Sequence, residues 1–281
     1  MNDLPSLRES LEQHGLMAKK SFGQHFLLDL NLTRKIVRLA QSSSLGIPFD
    51  GDTVIEVGPG PGGLTRALLE SGANRVIAIE MDSRFLDLLN ELKIPFGDRF
   101  EVVEGDALKA DEAGLLADRK LSPSAHIVSN LPYNVGTPLL IKWLTGPWQP
   151  ISMTLMFQLE VALRVVAPVG DDDYGRLSVI SQVLCHTEKL MDLPARAFTP
   201  PPRVDSAVVR LVPRTERPPV KIVQALEKVT AAAFGQRRKM LRSSLKSLGG
   251  EALLARAGIE PTQRAEQVAP PDFLRLALLL A

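Results

Sequence analysis

The segment NLPYNV, at residues 130–135, places an amide, a proline and an aromatic side chain directly after an apolar run. Asn130 offers a side-chain carbonyl oxygen. Leu131 and Pro132 offer backbone carbonyl oxygens that we expect no strand neighbour to use, because proline lacks an N–H group and ends a strand. The amine of a nucleobase is a double donor that matches two such acceptors, and Tyr133 offers a ring on which an unstacked base gains about 1–3 kcal/mol. The segment therefore predicts a holder for a base amine.

A glycine-rich turn, GPGPGG, follows the apolar run Asp52–Val57 and contains the pattern G-x-G-x-x-G at Gly58, Gly60 and Gly63. Between a strand and a helix, this pattern is typical of a nucleotide-binding turn. Glu80 ends the next apolar run 20 residues after Gly60, where an acid can hold a pair of ribose hydroxyls. The two spacings together favour a nucleoside cofactor over a tight turn beside a solvated glutamate. They leave open whether the cofactor is a dinucleotide or S-adenosylmethionine, which has no phosphate.

Asp106, in the segment EGDAL, ends the third apolar run. A carboxylate here either accepts a hydrogen bond from an adenine amine or caps the segment that follows, and Asp106 alone does not separate the two. The carboxyl ends of parallel strands meet at one edge of a sheet. Its place beside Gly58 and Glu80 therefore favours the ligand interpretation.

Apolar runs alternate with amphipathic helical runs, which is the pattern of a parallel sheet built from βαβ units. The predicted strands are DTVIEV, RVIAIEM, FEVVEGDAL, HIVS, SMTLMF, a strand within RLSVISQVLCHTEKLMDL, and SAVVRLVP. We expect Ser83 and Thr137 to cap the helices that follow the second and fourth strands. After a linker at 213–219 the pattern is helical only. The prediction is a doubly wound α/β domain at 1–212 and a small helical domain at 213–281.

The composition of the 281 residues, 45% hydrophobic and 23% charged, is that of a protein with a sizeable core. The single cysteine, Cys185, excludes an internal disulfide and a cysteine cluster. The four histidines have no ligand-like spacing, so we expect no metal. No apolar run reaches membrane-spanning length and no signal peptide is visible, so we expect a cytoplasmic protein without a membrane partner.

The net charge of +1 hides a basic C-terminal region, where residues 213–281 hold 12 Lys and Arg against 6 Asp and Glu. Within it, the acid-free segment 234–248 predicts a helix with Arg238, Arg242 and Lys246 in one stripe. Such a run is commonly a solvated helix face, but the regional surplus favours contacts with RNA phosphates. The predicted RNA-binding residues are Arg237, Arg238, Lys239, Arg242 and Lys246, with Lys19 and Lys20 extending the surface.

NLPY looks like the [DNS]-P-P-Y type motif of amino-group methyltransferases, and the whole chain resembles the ribosomal RNA adenine N6,N6-dimethyltransferases, the bacterial kasugamycin-sensitivity methylase group. The resemblance implies a Rossmann-like, S-adenosylmethionine-dependent methyltransferase domain. It runs nearly end to end and is carried by KKSFGQHFLLD, IEVGPGPGGLT, IEMD, GDAL, NLPYNVGTPLL, YGRLSV, AFTPPPRVDSAVVRL and FGQRRKMLRSSL.

The resemblance also implies roles for the residues that match the family's motifs. Asn130 would hold the target amine together with Leu131 and Pro132, and Tyr133 would stack on the base. Phe198 would cover the other side of the base, the alternative being a core aromatic beside the prolines. The implied cofactor contacts are Gly58 with the methionine part, Glu80 with the ribose, Asp106 with the adenine amine, and His25, Leu27, Gly60, Met81, Ala107 and Asn130 with the remainder. His25 stands where many relatives have Asn, so its contact is expected through the backbone or a ring nitrogen.

The implied activity is the dimethylation of N6 on two adjacent adenines in a hairpin near the 3′ end of small-subunit ribosomal RNA. The implied substrate is a pre-ribosomal small subunit, the enzyme is expected to act as a monomer, and a role in subunit biogenesis follows. Three alternatives stay open: a large-subunit adenine methylase of the macrolide-resistance type, an assembly factor that acts by binding RNA, and an NAD-dependent dehydrogenase. The dehydrogenase would leave NLPY and the basic C-terminal region without a role.

Overall fold

The computed structural model describes residues 4–18, 24–236 and 238–281. Its strands are β1 (Phe26–Leu27), β2 (Thr53–Val57), β3 (Arg75–Glu80), β4 (Phe100–Glu104), β5 (His126–Asn130), β6 (Ser152–Gln158), β7 (Cys185–Leu193), β8 (Phe198–Thr199) and β9 (Ser206–Pro213). Its α-helices are α1 (Leu7–Gln13), α2 (Leu30–Ser42), α3 (Gly63–Leu69), α4 (Leu86–Asn90), α5 (Lys93–Phe96), α6 (Glu112–Ala117), α7 (Gly136–Thr145), α8 (Leu159–Val166), α9 (Arg176–Leu184), α10 (Val220–Phe234), α11 (Leu241–Ser244), α12 (Gly250–Ala257) and α13 (Pro270–Leu280).

Seven strands form one sheet in the order β4-β3-β2-β5-β6-β9-β7. The pairs among β2 to β6 are parallel, whereas β9 runs antiparallel between β6 and β7. The strand order reverses between β2 and β5, and in such sheets the crevice at the carboxyl ends beside the reversal is the usual place for a ligand. The predicted doubly wound α/β fold is confirmed, with two antiparallel strands at one edge in place of a wholly parallel sheet.

The central strands β2, β3 and β5 are largely apolar and buried because both faces of the sheet are covered there. Alternate residues of a strand point to opposite faces, and here Val54 and Val76 pack in one hydrophobic cluster with Phe49 and Phe85. The intervening residues Ile55 and Ile77 pack in a second cluster on the other face. A strand buried on both faces reads as a continuous apolar run, which is why the sheet was visible in the sequence.

Helices α10 and α13 pack against α9 on one side of the sheet, and α11 and α12 pack against these C-terminal helices. Leu226 and Phe273 belong to the same hydrophobic cluster as Ile180 of α9 and Ile55 of the sheet. Residues 214–219 connect β9 to α10, at the place of the predicted linker. The predicted domain boundary at residue 212 therefore lies close to the end of the last strand. The helices that follow it share one hydrophobic cluster with the sheet.

Two expected helix caps are corrected by the structure. The turn after β3 is capped by Asp82, whose carboxylate accepts a hydrogen bond from the Arg84 N–H group at 3.3 Å, and not by Ser83, which begins a 3-10 helix. The helix after β5 begins earlier than expected, with Val135 at its cap position in place of Thr137. In both cases the first helical residue comes earlier than expected, at Ser83 after β3 and at Gly136 after β5.

The basic segment 234–248 is not a single helix. Helix α10 ends at Phe234, Met240 forms an isolated bridge with Arg264, and α11 spans only Leu241–Ser244 before a 3-10 helix at Lys246–Leu248. The expected helical stripe of cations is therefore wrong as geometry, because α10 ends before Arg238 and the short α11 carries Arg242 but not Lys246. No helix of the described residues is long and apolar enough to cross a membrane.

Candidate active site

A cleft with about 840 Å³ of empty space opens at the carboxyl ends of β2, β3, β4 and β5. Eleven of the predicted site residues line the cleft, namely His25, Gly58, Gly60, Glu80, Met81, Asp106, Ala107, Asn130, Leu131, Pro132 and Tyr133. The strands thus bring together residues that are more than 100 positions apart in the chain.

The glycine turn forms the floor of the cleft, and its glycines are needed where they stand. Gly58 and Gly60 have φ of +66° and +53°, a conformation that residues with a side chain rarely adopt. A Cβ atom on Gly60 would come within 2.9 Å of the Phe26 ring, and one on Gly63 would overlap the Leu27 carbonyl oxygen. The N-terminal segment therefore lies directly on the turn, so that β1 helps to enclose the cleft.

Glu80 ends β3 with its carboxylate 5% exposed at the wall of the cleft. One carboxylate oxygen accepts the Gly60 N–H group at 3.1 Å and the other accepts the Asp82 N–H group at 2.8 Å. Burial raises the pKa of Glu80 above its ordinary value, and the two backbone donors oppose that rise. The carboxylate is thus oriented by the turn itself, and it can accept hydrogen bonds from a pair of hydroxyl groups.

Asp106 lies two residues beyond β4, in a loop that α7 holds in place. Its carboxylate accepts the Leu108 N–H group at 3.0 Å, so part of its capacity serves the turn, as the capping interpretation expected. Lys142 of α7 donates to the carbonyl oxygens of Ala107 and Ala110 at 2.8 and 2.6 Å and to the buried carboxylate of Glu112 at 2.8 Å. We call these contacts the Lys142 clamp, and they fix the loop that carries Asp106.

The Asn130 side chain lies at the end of β5, and its amide nitrogen and amide oxygen have different surroundings. Its Nδ2 atom donates to the backbone carbonyl oxygen of His25 at 2.9 Å. Its Oδ1 atom accepts no hydrogen bond within the described parts of the chain. The amide is therefore anchored by its nitrogen and offers its oxygen to a donor in the cleft.

The backbone after Asn130 differs from the prediction at the Pro132 carbonyl group. The Pro132 carbonyl oxygen accepts the N–H groups of Val135 and Gly136 at 3.1 and 3.0 Å, because the chain turns at once into α7. The prediction that this carbonyl is free is therefore wrong. The remaining backbone candidate for holding an amine is the Leu131 carbonyl oxygen. The Pro132 ring lies beside the glycine turn, 3.5 Å from where a Cβ atom on Gly58 would stand.

Tyr133 is anchored at its hydroxyl and covered on one face of its ring. The hydroxyl is 2.6 Å from the Ser206 Oγ atom, and burial raises the pKa of the Tyr133 phenol above its ordinary value. The imidazole of His25 stacks on the ring, with a centroid separation of 5.4 Å and an angle of 29° between the planes. The His25 Nδ1 atom in turn donates to the Pro200 carbonyl oxygen at 2.7 Å.

The structure does not bring Leu27 and Phe198 to the cleft. They pair with each other across the two-stranded sheet of β1 and β8, and their side chains are 4% and 2% exposed in a hydrophobic cluster. Phe26, which adjoins Leu27, lines the cleft in its place, and the cofactor contact of Leu27 stays a prediction. For Phe198 this burial matches the alternative of a core aromatic, because strand pairing turns the ring into the core.

The charged residues of the cleft are of one sign. Among the described residues that line it, Glu80, Asp82 and Asp106 are acidic and none is lysine or arginine. Asp82 is paired with Arg84, which lies outside the lining. No group of three or more metal-ligating side chains occurs within the described ranges. Such a cleft favours a cationic ligand and disfavours a pyrophosphate group.

The predicted RNA-binding residues lie at the surface, apart from the cleft. Arg238, Lys239, Arg242 and Lys246 are exposed, and Arg242 is 3.7 Å from the Glu251 carboxylate. Arg237, Lys19 and Lys20 lie outside the described residues. The exposed cations are thus close along the chain without forming the expected helical stripe.

Sequence reasoning missed the Lys142 clamp and the wall position of Phe26. Lys142 lies within an apolar helical run, where a lysine is ordinarily a solvated residue, and its acceptors are backbone carbonyls that no side-chain pattern shows. A signal was present at Phe26, since it adjoins His25 in the segment QHFLLD. Its packing on Gly60 depends on tertiary structure alone.

Comparisons with known proteins agree over nearly the whole chain. The family model of ribosomal RNA adenine dimethylases matches residues 15–281. The chain is 65% identical over 277 residues to the ribosomal RNA small subunit methyltransferase A of Phenylobacterium zucineum, covering 99% of this chain and 93% of that one. It is 66% identical over 261 residues to the protein of the same name from Caulobacter vibrioides, covering 93% and 96%.

Two solved structures share the architecture. A dimethyladenosine transferase from Plasmodium falciparum aligns with a TM-score of 0.72 at 26% identity, over 91% of this chain and 97% of that one. The 23S rRNA methyltransferase ErmE aligns with a TM-score of 0.68 at 28% identity, over 91% and 99%. The small-subunit relatives are thus more than twice as similar in sequence as the 23S enzyme.

Proposed function

The chain belongs to the ribosomal RNA adenine dimethylase family, and we propose that it dimethylates the N6 amine of adenine in small-subunit ribosomal RNA. It is a methyltransferase that uses S-adenosylmethionine. The observation that carries the proposal is the anchored Asn130 amide, whose oxygen is offered to the cleft at the place where the cofactor residues converge.

The residues of the cleft fit S-adenosylmethionine better than a dinucleotide. Glu80 would hold the ribose hydroxyls, Asp106 the adenine amine, and the turn at Gly58 the methionine part. The acidic lining suits a sulfonium and an ammonium group, and it provides no lysine or arginine for a pyrophosphate. Calorimetric titration tests this choice, since binding of NAD without binding of S-adenosylmethionine would contradict it.

The cofactor supplies a methyl group on a positively charged sulfur atom. The chain's own residues must make a poor nucleophile reactive, because the lone pair of an adenine N6 is delocalised into the ring. Asn130 Oδ1 and the Leu131 carbonyl oxygen would accept the two N6 hydrogens, which favours a tetrahedral nitrogen with its lone pair aimed at the methyl. The same oxygens stabilise the positive charge that develops on N6, an effect gained mainly in the transition state.

Orientation supplies the rest of the rate enhancement. Tyr133 would position the target base by stacking, and its hydroxyl contact with Ser206 sets where the ring lies. Holding two reactants in a reactive geometry removes much of the entropic barrier. A general base is not needed in this scheme, because the N6 proton becomes acidic only after the methyl has been transferred.

The finer part of the proposal concerns the substrate. We infer that the enzyme acts as a cytoplasmic monomer on two adjacent adenines in a hairpin near the 3′ end of the RNA, within a pre-ribosomal small subunit. The names of the relatives at 65–66% identity support a small-subunit substrate over a large-subunit one. The deciding measurement is mass spectrometry of ribosomal RNA from cells that lack the protein, which should show the loss of dimethyladenosine from the small subunit only.

A role in assembly that depends on RNA binding alone is the second candidate, and the exposed cations at 238–246 favour it. Glu80→Ala separates the two functions, because it removes a cofactor contact that lies apart from those cations. If subunit maturation survives in this variant while methylation is lost, RNA binding has a function of its own. If both are lost together at normal protein levels, methylation is the function.

A further inference from the structure

The imidazole of His25 covers one ring face of Tyr133. Both residues line the cleft, and their ring centroids are 5.4 Å apart with an angle of 29° between the planes. Aromatic rings in direct contact have centroids about 4.5–7 Å apart. No third ring fits between His25 and Tyr133 at this separation, so a base can reach this face only if the imidazole leaves it.

His25 is held in this position by its side chain and, separately, by its backbone. The Nδ1 atom donates to the Pro200 carbonyl oxygen at 2.7 Å, which fixes the imidazole at the rim formed by the proline segment. The His25 carbonyl oxygen accepts the Asn130 Nδ2 atom at 2.9 Å. The ring can therefore swing away without releasing the contact that orients Asn130.

We propose that His25 is a gating residue. Its imidazole occupies the stacking position of the target adenine on Tyr133 until RNA binds. The proposal rests on the function assigned above, because it takes adenine as the base that enters. The entering base replaces the stacking contact of His25 and must also offset its hydrogen bond to Pro200. A base without an amine for Asn130 replaces only the stacking contact. The gate therefore favours bases that can engage Asn130.

The test compares the binding of two proteins, the wild type and H25A, to two RNA hairpins. Enzyme saturated with S-adenosylhomocysteine, so that no turnover occurs, is titrated with the small-subunit 3′ hairpin and with the same hairpin carrying abasic sites in place of the adenines. H25A should bind the adenine hairpin about tenfold more tightly than the wild type, which corresponds to about 1.4 kcal/mol. Both proteins should bind the abasic hairpin equally, because nothing then displaces the imidazole.

Two further variants control the comparison. H25F keeps a ring over Tyr133 and loses the hydrogen bond to Pro200, so its affinity for the adenine hairpin should fall between those of H25A and the wild type. H186A removes an exposed histidine of β7 that does not line the cleft, and it should bind as the wild type does. Equal affinity of H25A and wild type for the adenine hairpin overturns the proposal, as does weaker binding by H25A or equal tightening on both hairpins.

Nuclear magnetic resonance of the histidine rings gives a second readout that does not depend on affinity. The His25 ring signal, identified by its absence in H25A, should shift when the adenine hairpin is added and stay in place with the abasic hairpin. A signal that responds to both hairpins alike, or to neither, contradicts displacement by the base. The proposed function is tested separately by measuring methyl incorporation into unmethylated small subunits by the wild type. That result does not depend on whether His25 acts as a gate.

Discussion

The Asn130 amide shows how one contact decides the chemistry at the scale of a residue. An asparagine side chain has both a donor end and an acceptor end, and either could face the cleft. The backbone carbonyl of His25 takes the donor end, so the acceptor end remains for the substrate. In the proposed function the donor is a base amine, and this single backbone contact would match the site to it.

Replacing Asn130 by Ala should reduce methyl transfer by about 100-fold, the effect of removing one group that stabilises developing charge. The affinity for S-adenosylhomocysteine should change little, because Glu80 and Asp106 remain. Transfer is measured with labelled cofactor on unmethylated small subunits, and affinity by calorimetry. Asn74→Ala, at an exposed asparagine at the opposite end of β3, is the matched control. Normal transfer by Asn130→Ala would mean that the segment is only a turn.

Glu56 is a second residue whose environment decides its chemistry. It lies on β2, 1% exposed, and accepts the Thr65 hydroxyl at 2.6 Å. Burial raises the pKa of Glu56 to about 8, with the nearby Glu80 adding to the rise. Folding therefore favours the protonated carboxyl, so its contribution to stability is complete below pH 4.5, is lost as the pH rises towards 8, and is constant above that.

Glu56→Gln should remove this pH dependence, because an amide resembles the protonated carboxyl and keeps an acceptor for Thr65. The difference in unfolding free energy between variant and wild type should grow between pH 5 and 8 by up to about 1.4 kcal/mol per pH unit. Urea unfolding at several pH values measures it, with Glu104→Gln at an exposed position as the control. A constant difference across that range would show that Glu56 is ionised in the folded protein.

At the scale of elements, the cleft is assembled by contacts between segments that are distant in the chain. Helix α7 begins at the Asn130 segment and carries the Lys142 clamp, which holds the loop of Asp106 through two backbone carbonyls and Glu112. The Trp143 Nε1 atom donates to the same Glu112 carboxylate at 2.8 Å. The segment of Asn130 and the loop of Asp106 are thus joined by one helix.

Lys142→Met should weaken binding of S-adenosylhomocysteine by about 3- to 10-fold, as expected when hydrogen bonds that order a loop are removed. The maximal rate at saturating cofactor should fall much less, since Asn130 and Tyr133 keep their contacts. Lys142→Arg should restore part of the affinity, and Lys35→Met on the exposed face of α2 is the control. A lower maximal rate with unchanged cofactor affinity would contradict the positioning role of the clamp.

For the whole molecule, the distribution of charge complements the acidic cleft. The cleft has an acidic lining, whereas the region 213–281 has a surplus of six basic residues, with 12 basic against 6 acidic. We therefore expect a polyanion such as RNA to bind at the C-terminal region rather than in the cleft. Phosphate contacts of this kind position an enzyme on folded RNA and do not read its sequence.

Changing Arg238, Lys239, Arg242 and Lys246 together to Ala should weaken RNA binding and reduce the slope of log K against log salt by about one for each phosphate that the variant no longer neutralises. The control variant removes equal charge from the other end of the chain by changing four exposed cations to Ala, namely Arg8, Lys35, Arg38 and Lys93. Filter binding from 50 to 300 mM salt separates the two variants. Equal slopes would place the RNA surface elsewhere.

The sequence by itself determined the strands, the glycine turn and the residues at the strand ends. The reason is local: a strand buried on both faces must be apolar, and a turn with positive φ at Gly58 and Gly60 favours glycine. Because parallel strands end at one edge, the positions of Glu80, Asp106 and Asn130 along the chain were enough to predict that they lie together.

Only the tertiary structure decided which groups at that edge are free to react. It shows that the Pro132 carbonyl serves the turn, that Phe198 and Leu27 pair in the core, and that His25 covers Tyr133. It also divides the basic segment between α10, a bridge from Met240 to Arg264, and the short helix α11. These outcomes depend on backbone groups and partners far apart in the chain, and side-chain spacing carries no record of such pairings.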